Sequence, residues 1–332
     1  GSGRAAELGV LFKTAESMEN TKHIDTIVLD KTGTITNGRP EVTEFVVAEG
    51  FERARIVSLA AAAESQSEHP VATAITAYGD DGKLSVESFE AIPGHGIRAI
   101  VDGSNLLIGT RKLLNESKVS FNETEASELE SQGKTVMFIA VEGKYAGLIA
   151  VADTVKDSSA TAISEMKKLG LHVVMLTGDQ ERTAQAIAAQ VGIDEVFAGV
   201  LPTEKANVVA MLKADGRRVA MAGDGLNDAP ALATADVGMA MGTGTAVAME
   251  AADITLMQGD LMRAVDAIQL SRLTVRNIKQ NLFWALAYNA VGIPIAAAGF
   301  LAPWLAGAAM AFSSVSVVLN ALRLQRAKLT KF

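Results

Sequence analysis

A reactive carboxylate follows a short apolar run near the start of the chain. Residues 26–29 (TIVL) are almost entirely β-branched or aliphatic, as in a buried parallel strand, and Asp30 comes directly after them. Open α/β sheets hold their ligands beyond the carboxyl ends of such strands. A carboxylate at that place can attack a phosphoryl group and become an aspartyl phosphate. The alternative is an Asp that only caps a turn.

Three further apolar runs end in polar loops. Residues 171–176 lead into Thr177, Gly178 and Asp179, which offer a hydroxyl and backbone N–H groups beside a helix start. Such a helix N-terminus suits an anion. The runs 218–222 and 237–242 also end at glycine. All three loops are therefore expected at the edge of the sheet that carries Asp30.

Charged side chains near the third run suit a phosphate and its counterion. Asp224 and Asp228 are hard oxygen ligands of the kind that Mg²⁺ prefers. Lys205 follows a proline turn and can neutralise phosphate charge as a point cation. Together these residues predict a magnesium-dependent phosphate site.

The septet at residues 30–36 (DKTGTIT) resembles the phosphorylation signature of the P-type ATPases, and the four runs in this order resemble their haloacid-dehalogenase-like core. The resemblance implies ATP as the phosphoryl donor and Mg²⁺ held by Asp30, Asp224 and the Thr32 carbonyl. It implies these catalytic residues: Asp30, Lys31, Thr32, Thr34, Thr177, Gly178, Asp179, Lys205, Asn227 and Asp228.

The residue at position 32 distinguishes a pump from a phosphatase, and here it is a threonine. Soluble phosphatases of this superfamily carry a second Asp two positions after the nucleophile, and that residue acts as general acid and base. A threonine cannot transfer that proton near neutral pH, so the phosphoenzyme is expected to hydrolyse slowly. A long-lived aspartyl phosphate favours a pump.

Composition narrows the remaining classes. The chain has 332 residues, a net charge of −8 and no cysteine. This length allows two or three domains. The negative charge argues against a nucleic-acid partner, and a disulfide framework or thiolate metal site within this chain is excluded.

The C-terminal part indicates a membrane. Residues 280–322 contain no charged residue and no histidine, which is enough for two spans of roughly 20 residues each. Residues 299–303 supply the expected turn. Basic residues flank the stretch on both sides, which predicts a hairpin with both ends in the cytoplasm. A pair of buried core helices is the alternative.

Polar residues within that stretch suggest the transported ion. Met310 offers a soft thioether, the ligand class that suits Cu(I), although packing explains it equally well. Tyr288-Asn289 followed by Met310 and residues 313–314 (SS) resembles the last two core helices of copper(I)-transporting P-type ATPases. The resemblance implies that Tyr288, Asn289, Met310 and Ser314 bind copper(I). Silver(I) fits the same ligands, and a zinc or cadmium pump is a further alternative.

Residues 39–151 differ in pattern from the flanking sequence and indicate an insertion. Ser-Glu-His-Pro at 67–70 with a downstream Gly-x-Gly resembles the nucleotide-binding domain of the heavy-metal P-type ATPases. The resemblance implies that Glu64, His69, Gly94 and Gly96 hold the adenosine. The chain departs from the family at Thr110, where an asparagine is often found.

These features predict an α/β fold with a haloacid-dehalogenase-like Rossmannoid phosphorylation domain, an inserted α+β nucleotide-binding domain and a C-terminal transmembrane helical hairpin. The expected domains are a linker (1–23), the phosphorylation domain (24–38 and 152–272), the nucleotide-binding domain (39–151), two transmembrane helices (275–323) and a cytoplasmic tail (324–332).

The predicted function is ATP-driven copper(I) translocation through an aspartyl phosphate. We expect the catalytic C-terminal part of a pump, without the actuator domain and first four core helices. Expected partners are the lipid bilayer, the N-terminal part of the pump and a copper chaperone, and the expected location is a bacterial plasma membrane with cytoplasmic catalytic domains. Other classes that fit are a non-catalytic, membrane-anchored ATP-binding module and a membrane-tethered phosphatase.

Overall fold

The structure is a computed structural model that describes residues 1–67, 69–79, 84–298 and 303–325, without the side chains of 226, 296, 303–306, 308–310 and 324–325. Its strands are β1 (Val10–Phe12), β2 (Thr26–Asp30), β3 (Thr36–Val47), β4 (Val86–Ile92), β5 (Gly96–Val101), β6 (Ser104–Gly109), β7 (Thr135–Val141), β8 (Lys144–Val155), β9 (His172–Leu176), β10 (Glu195–Phe197), β11 (Val219–Gly223), β12 (Val237–Met241) and β13 (Ile254–Leu256). Its helices are α1 (Ser2–Glu7), α2 (Ala15–Thr21), α3 (Arg53–Glu64), α4 (Pro70–Tyr78), α5 (Arg111–Glu116), α6 (Glu123–Ser131), α7 (Ser159–Lys168), α8 (Glu181–Val191), α9 (Lys205–Ala214), α10 (Ala229–Thr234), α11 (Ala246–Ala251), α12 (Met262–Ala297) and α13 (Pro303–Gln325).

The chain divides into two compact units. The first unit comprises Gly1–Asp30, Ser158–Leu176 and Leu201–Phe332. The second unit comprises Lys31–Asp157 and Thr177–Val200. The domain boundaries expected from the sequence stay a prediction.

A mostly parallel sheet forms the centre of the first unit. Six of its strands follow the order β1-β13-β12-β11-β2-β9, and only β1 runs antiparallel to its neighbour. The five residues of β2 are all buried, as the apolar run predicts. Asp30 pairs with Leu176 at the end of β9, and Leu29 pairs with Ala222 in β11. The carboxyl ends of these three strands therefore meet at one edge of the sheet.

An antiparallel sheet forms the centre of the second unit. Its six strands follow the order β3-β8-β7-β6-β5-β4. One hydrophobic cluster lies between this sheet and helices α3 and α4, and it includes Ile56, Ile75 and Ile108. A second cluster includes Leu114, Phe138 and Leu148 and lies beside α5 and α6. This α+β arrangement matches the change of pattern that the sequence indicates.

The C-terminal hairpin consists of α12 and α13. Helix α12 packs against α2, α7 and α13. Large apolar side chains are exposed along both helices, for example Leu286, Ile293 and Phe312. Over the described residues, no helix combines enough length with enough apolar character to cross a bilayer. The predicted turn at residues 299–303 lies almost entirely outside the described residues.

Candidate active site

A buried lysine bridges two carboxylates in the first unit. Lys205 Nζ lies 2.7 Å from Asp30 Oδ1 and 2.7 Å from Asp228 Oδ1. All three side chains are buried, with Asp228 only 1% exposed. Asp224 is the third carboxylate of the group, and one oxygen of each Asp lies within 4.8 Å of the others. The structure thus brings together four of the residues that the sequence predicts for one site.

Local structure explains these positions. Asp30 is the last residue of β2, and Lys205 is the first residue of α9, directly after a 3₁₀ turn. Asp228 Oδ2 accepts a hydrogen bond from the backbone N–H of Gly225 at 3.0 Å. A Cβ at Gly223 would lie 2.8 Å from Asp228, so only glycine fits at the end of β11.

The electrostatics of this group favour a divalent cation. The pKa of Asp30 is raised to about 7, chiefly by burial and also by the charges of Asp228 and Asp224, while Lys205 acts in the opposite direction. Burial alone would lower the pKa of Lys205, but the charges and hydrogen bonds of Asp30 and Asp228 raise it overall. With all groups ionised, three carboxylates face one ammonium, which leaves two excess negative charges. Clustered carboxylate oxygens are hard ligands, so the residues present fit Mg²⁺.

A second set of predicted residues lies in the second unit. Lys31 Nζ pairs with Asp179 Oδ2 at 2.8 Å, and the Asp179 N–H donates to Thr177 Oγ1 at 3.1 Å. Lys31, Gly178 and Asp179 line one cleft of about 990 Å³. Thr34 is fully buried, and its Oγ1 has no hydrogen-bond partner within the described part of the chain. The hydroxyl of Thr34 is therefore buried and unsatisfied within the described residues.

Two predicted catalytic residues are exposed. Thr32 lies two positions after Asp30 with φ −73° and ψ 128°, and Asn227 lies in the 3₁₀ turn Leu226–Asp228. Gly33 follows with φ 72°, a left-handed conformation that favours glycine. This turn changes the direction of the chain directly after Asp30, the last residue of β2.

The predicted nucleotide residues lie on one unit but in different surroundings. Glu64 ends α3 and is 4% exposed, and burial raises its pKa to about 7. His69 is exposed and caps α4, since its Nδ1 accepts from the Val71 N–H at 3.2 Å. Gly94 and Gly96 form the turn between β4 and β5, with φ 72° and 141°.

Thr110 adjoins this glycine turn. Its backbone N–H donates to the His95 carbonyl at 2.7 Å. Its Oγ1 is buried and has no partner among the described residues. The departure from the family at this position therefore places an unsatisfied hydroxyl beside Gly94 and Gly96.

The predicted copper ligands are only partly described. Tyr288 is half-buried, with its ring 6.3 Å from that of Trp284. Asn289 is exposed and donates to the Ala285 carbonyl at 3.0 Å, and Ser314 is exposed on α13. The side chain of Met310 lies outside the described residues. The copper site therefore stays a prediction.

A family model described as haloacid dehalogenase-like hydrolase matches residues 24–236, which cover the Asp30, Lys205 and Asp228 group. The chain belongs to the haloacid dehalogenase-like hydrolase family.

The relatives of this haloacid dehalogenase-like chain include ion pumps. Copper-exporting P-type ATPases of Bacillus subtilis (strain 168) and Staphylococcus saprophyticus are 58% and 56% identical to it over 99% of its length. The chain spans 42% and 41% of those relatives.

Solved structures agree. A zinc-transporting PIB-type ATPase in the E2.Pi state matches 98% of the chain, which covers 53% of that structure, with a TM-score of 0.88 and 38% identity. The catalytic domain of the CPx-ATPase CopB-B matches with a TM-score of 0.61 and 28% identity, over 80% of this chain and 98% of that one. These matches confirm the predicted resemblance to P-type ATPases and the predicted haloacid-dehalogenase-like fold with its inserted domain.

Two residues of this haloacid dehalogenase-like fold form contacts that the sequence reasoning did not assign. Lys156 Nζ donates to the Gly33 carbonyl at 2.5 Å, inside the turn after the predicted nucleophile. Asp153 accepts from the Thr36 hydroxyl at 2.5 Å and from the Gly38 N–H at 2.9 Å. Both residues lie where β8 ends, opposite the start of β3. They therefore hold together the two chain segments that enter and leave the inserted sheet. No local motif marks them, because their partners are more than 110 residues away.

A third such residue is Gly244, which lies after β12. A Cβ at Gly244 would lie 2.3 Å from the Asp224 carbonyl oxygen, and the Thr245 N–H donates to that oxygen at 2.8 Å. The glycine therefore positions the backbone of Asp224. The glycine that closes the fourth apolar run gave a weak signal for this loop.

Proposed function

We propose that the chain is the catalytic C-terminal portion of an ATP-driven pump that exports copper(I) and is phosphorylated on Asp30. The observation that carries the proposal is the buried bridge of Lys205 between Asp30 and Asp228, at 2.7 Å from each. A lysine held this way fixes the orientation of the carboxylate and offsets negative charge in a buried site. Both effects favour attack by Asp30 on a phosphorylated substrate.

The proposed step is phosphoryl transfer from ATP to Asp30. A carboxylate oxygen forms a bond to the γ-phosphorus, the bond from that phosphorus to the bridging oxygen breaks, and ADP leaves with the electron pair. Lys205 offsets charge on the transferring oxygens, since catalysis of this kind is mostly positioning and electrostatics. Bound Mg²⁺, held by Asp30, Asp224 and the Thr32 carbonyl, would reduce the repulsion between carboxylate and phosphate.

Further residues that the sequence predicts for phosphate binding are part of this proposal. Thr177, Gly178 and Lys31 are proposed to bind phosphate oxygens, and Asp179 orients Lys31 through their 2.8 Å ion pair. Thr34 is proposed to donate its hydroxyl, which has no partner among the described residues, to the phosphate. Such preorganised donors stabilise charge without rearranging during the reaction.

The adenosine end of ATP is proposed to bind at Glu64, His69, Gly94 and Gly96. The glycine turn lets the nucleotide approach the backbone closely, because neither residue carries a Cβ. The buried carboxylate of Glu64 suits hydrogen-bond donors on the nucleotide, which would offset its lost hydration. This half of the site lies on the same unit as the cleft at Lys31 and Asp179.

The membrane location is part of the proposal. Apolar side chains such as Leu282, Val291 and Val318 are more than half exposed on α12 and α13, and water does not favour such an arrangement over so many residues. The names of the relatives support a membrane pump. We propose a bacterial plasma membrane that holds α12 and α13, with the catalytic domains on the cytoplasmic side, and a copper chaperone as a further partner.

Phosphoenzyme formation tests the catalytic half of the proposal. With γ-labelled ATP and Mg²⁺, the chain should acquire a label that hydroxylamine removes, and Asp30→Asn should lose it. The matched control is Asp215→Asn, an exposed carboxylate at the end of α9 that should keep the label. A label that persists in Asp30→Asn would contradict the proposal.

Zinc is the second candidate ion, because a zinc-transporting PIB-type ATPase matches almost the whole chain. The higher identity to copper-exporting relatives favours copper(I). Competition with a chromophoric copper(I) chelator should reveal binding that Tyr288→Phe and Asn289→Ala weaken. If both variants bind copper(I) as tightly as the unchanged chain does, copper(I) is contradicted as the transported ion. Tighter binding of zinc(II) than of copper(I) would also contradict it. Silver(I) is expected to compete with copper(I) for the same ligands.

A further inference from the structure

A shallow pocket of about 520 Å³ lies where α2 ends beside residues 272–284 of α12. We call it the basic pocket, and its lining residues are Lys22, Arg272, Arg276, Lys279, Gln280, Phe283 and Trp284. The basic and aromatic residues of α12 recur at spacings of three and four, so they share one face of the helix.

The charges of the basic pocket are all of one sign. Four of its lining residues are cations and none is acidic, although the whole chain has a net charge of −8. Arg276 and Lys279 are exposed, and among the described residues neither forms an ion pair. Arg272 is half-buried and donates to the Leu169 carbonyl at 2.8 Å. The pocket therefore presents uncompensated positive charge to a ligand.

Crowding of the cations is visible at Lys22. Its side chain lies close enough to that of Lys279 for their contact to lower the pKa of Lys22, with burial and charge repulsion acting in the same direction. Glu19 is nearby and acts in the opposite direction without reversing the shift. An anionic ligand would relieve this repulsion.

The apolar side of the pocket indicates which anion it suits. Phe283 and Trp284 are 63% and 50% exposed, and their rings meet edge to face at 5.5 Å. Exposed apolar side chains continue along α12 beyond them, for example Leu286 and Val291. The sequence of cations, then amphipathic aromatics, then apolar surface follows the order of a lipid headgroup, the membrane interface and the hydrocarbon. A free inorganic anion would make no favourable contact with the aromatic and apolar part of the pocket.

We propose that the basic pocket binds the phosphate headgroup of an anionic membrane lipid, whose acyl chains lie along Phe283, Trp284 and the apolar surface beyond. Arg276 and Lys279 contact the headgroup phosphate, and Gln280 offers a further hydrogen bond. The proposal rests on the proposed membrane location of α12. It does not depend on phosphorylation of Asp30.

Lipid binding by the full chain in detergent micelles tests the proposal. Native mass spectrometry would count bound phosphatidylglycerol over a concentration series, with phosphatidylcholine as the lipid without net charge. The test variant is the double substitution Arg276→Gln and Lys279→Gln. The matched control is Arg39→Gln with Lys144→Gln, which also removes one exposed arginine and one exposed lysine but lies in the second unit.

We expect phosphatidylglycerol to bind more tightly than phosphatidylcholine. Since each basic residue near an anionic lipid surface contributes a factor of about five, the test variant should bind phosphatidylglycerol about 25-fold more weakly. The control variant should stay within about twofold of the unchanged chain. Circular dichroism of both variants should match the unchanged chain, because all four substituted side chains are exposed.

Three results would overturn the proposal. The first is equal affinity of the test variant and the unchanged chain for phosphatidylglycerol. The second is equal binding of phosphatidylcholine. The third is displacement of the lipid by inorganic phosphate at a similar concentration, which would assign the pocket to a free anion. Phosphoenzyme formation measured on the same preparations separates a failure of this proposal from a failure of the catalytic one.

Discussion

The substitution Glu64→Gln should stabilise the second unit at alkaline pH and have little effect at acid pH. Glu64 ends α3 and is 4% exposed, and among the described residues its carboxylate forms no ion pair. Burial raises its pKa to about 7 from the usual 4.5. Ionisation of this side chain is therefore unfavourable in the folded protein without a ligand.

The size and direction of the effect follow from proton linkage. The folded state holds the Glu64 proton more tightly than the unfolded state, so unfolding free energy falls as pH rises from about 4.5 to about 7 and then levels off. A pKa rise of this size corresponds to roughly 3 kcal/mol above pH 8. A glutamine side chain has nearly the same shape without the charge, so Glu64→Gln should recover about 2 to 3 kcal/mol at pH 8 and almost nothing at pH 5.

Hydrogen exchange read by mass spectrometry can measure this difference in the full chain without ATP. Peptides from β5 and β6 report on the opening of the sheet against which α3 packs. Rates would be corrected for intrinsic exchange at each pH. Glu49→Gln, an exposed glutamate of the same unit, is the control and should change the opening free energy by less than about 0.5 kcal/mol.

One result would refute the reasoning. If Glu64→Gln shifts the opening free energy equally at pH 5 and pH 8, the carboxylate is not buried as an uncompensated acid. Addition of ATP to the unchanged chain should reduce its pH dependence, provided that the nucleotide donates hydrogen bonds to Glu64. An ATP effect without any change in the pH dependence would remove Glu64 from the proposed nucleotide site.

Three further predictions concern residues of the proposed site. Lys205→Met should abolish the phosphoenzyme and lower unfolding free energy by about 3 to 5 kcal/mol in denaturant titrations, because two buried carboxylates lose their counterion; normal labelling would contradict its role. Gly96→Ala should destabilise the second unit by about 3 kcal/mol more than Gly50→Ala in the same exchange experiment. Both glycines have positive φ, but only a Cβ at Gly96 would meet a backbone atom, at 2.1 Å from the Ile108 oxygen. Thr110→Asn should tighten ATP binding in calorimetry by about two- to tenfold through one added hydrogen bond, and unchanged or weaker binding would count against contact at this position.

Sequence reasoning located the strands and loops of the proposed phosphate site because their signals are local. The run before Asp30 is apolar at every position but Thr26, and such a run in a parallel sheet must end at the edge where ligands bind. The loops at Thr177 and Asp224 carry the same signal. Regular hydrogen bonding between the strands then aligns their ends, as the pairing of Asp30 with Leu176 shows.

Sequence reasoning identified other residues without predicting their burial or their pKa. Glu64 and His69 were both expected from the resemblance to one nucleotide-binding domain, yet one is buried and the other is an exposed helix cap. Burial of a helix depends on its packing, and α3 packs against α4 and against β5 and β6, which lie further along the chain. The raised pKa of Glu64 follows from its burial.

The local pattern of the chain by itself indicated the four apolar runs, the candidate nucleophile and the insertion between the first two runs, because hydrophobic periodicity and short motifs act over a few residues. Only the tertiary structure decided the contacts that set charge. Lys205 hydrogen-bonds to Asp30, which lies 175 residues away in the sequence. Lys22 and Arg276 line the same pocket because α2 packs against α12. Electrostatic energy depends on distance and burial in space. No pattern along the chain contains those two quantities until the chain has folded.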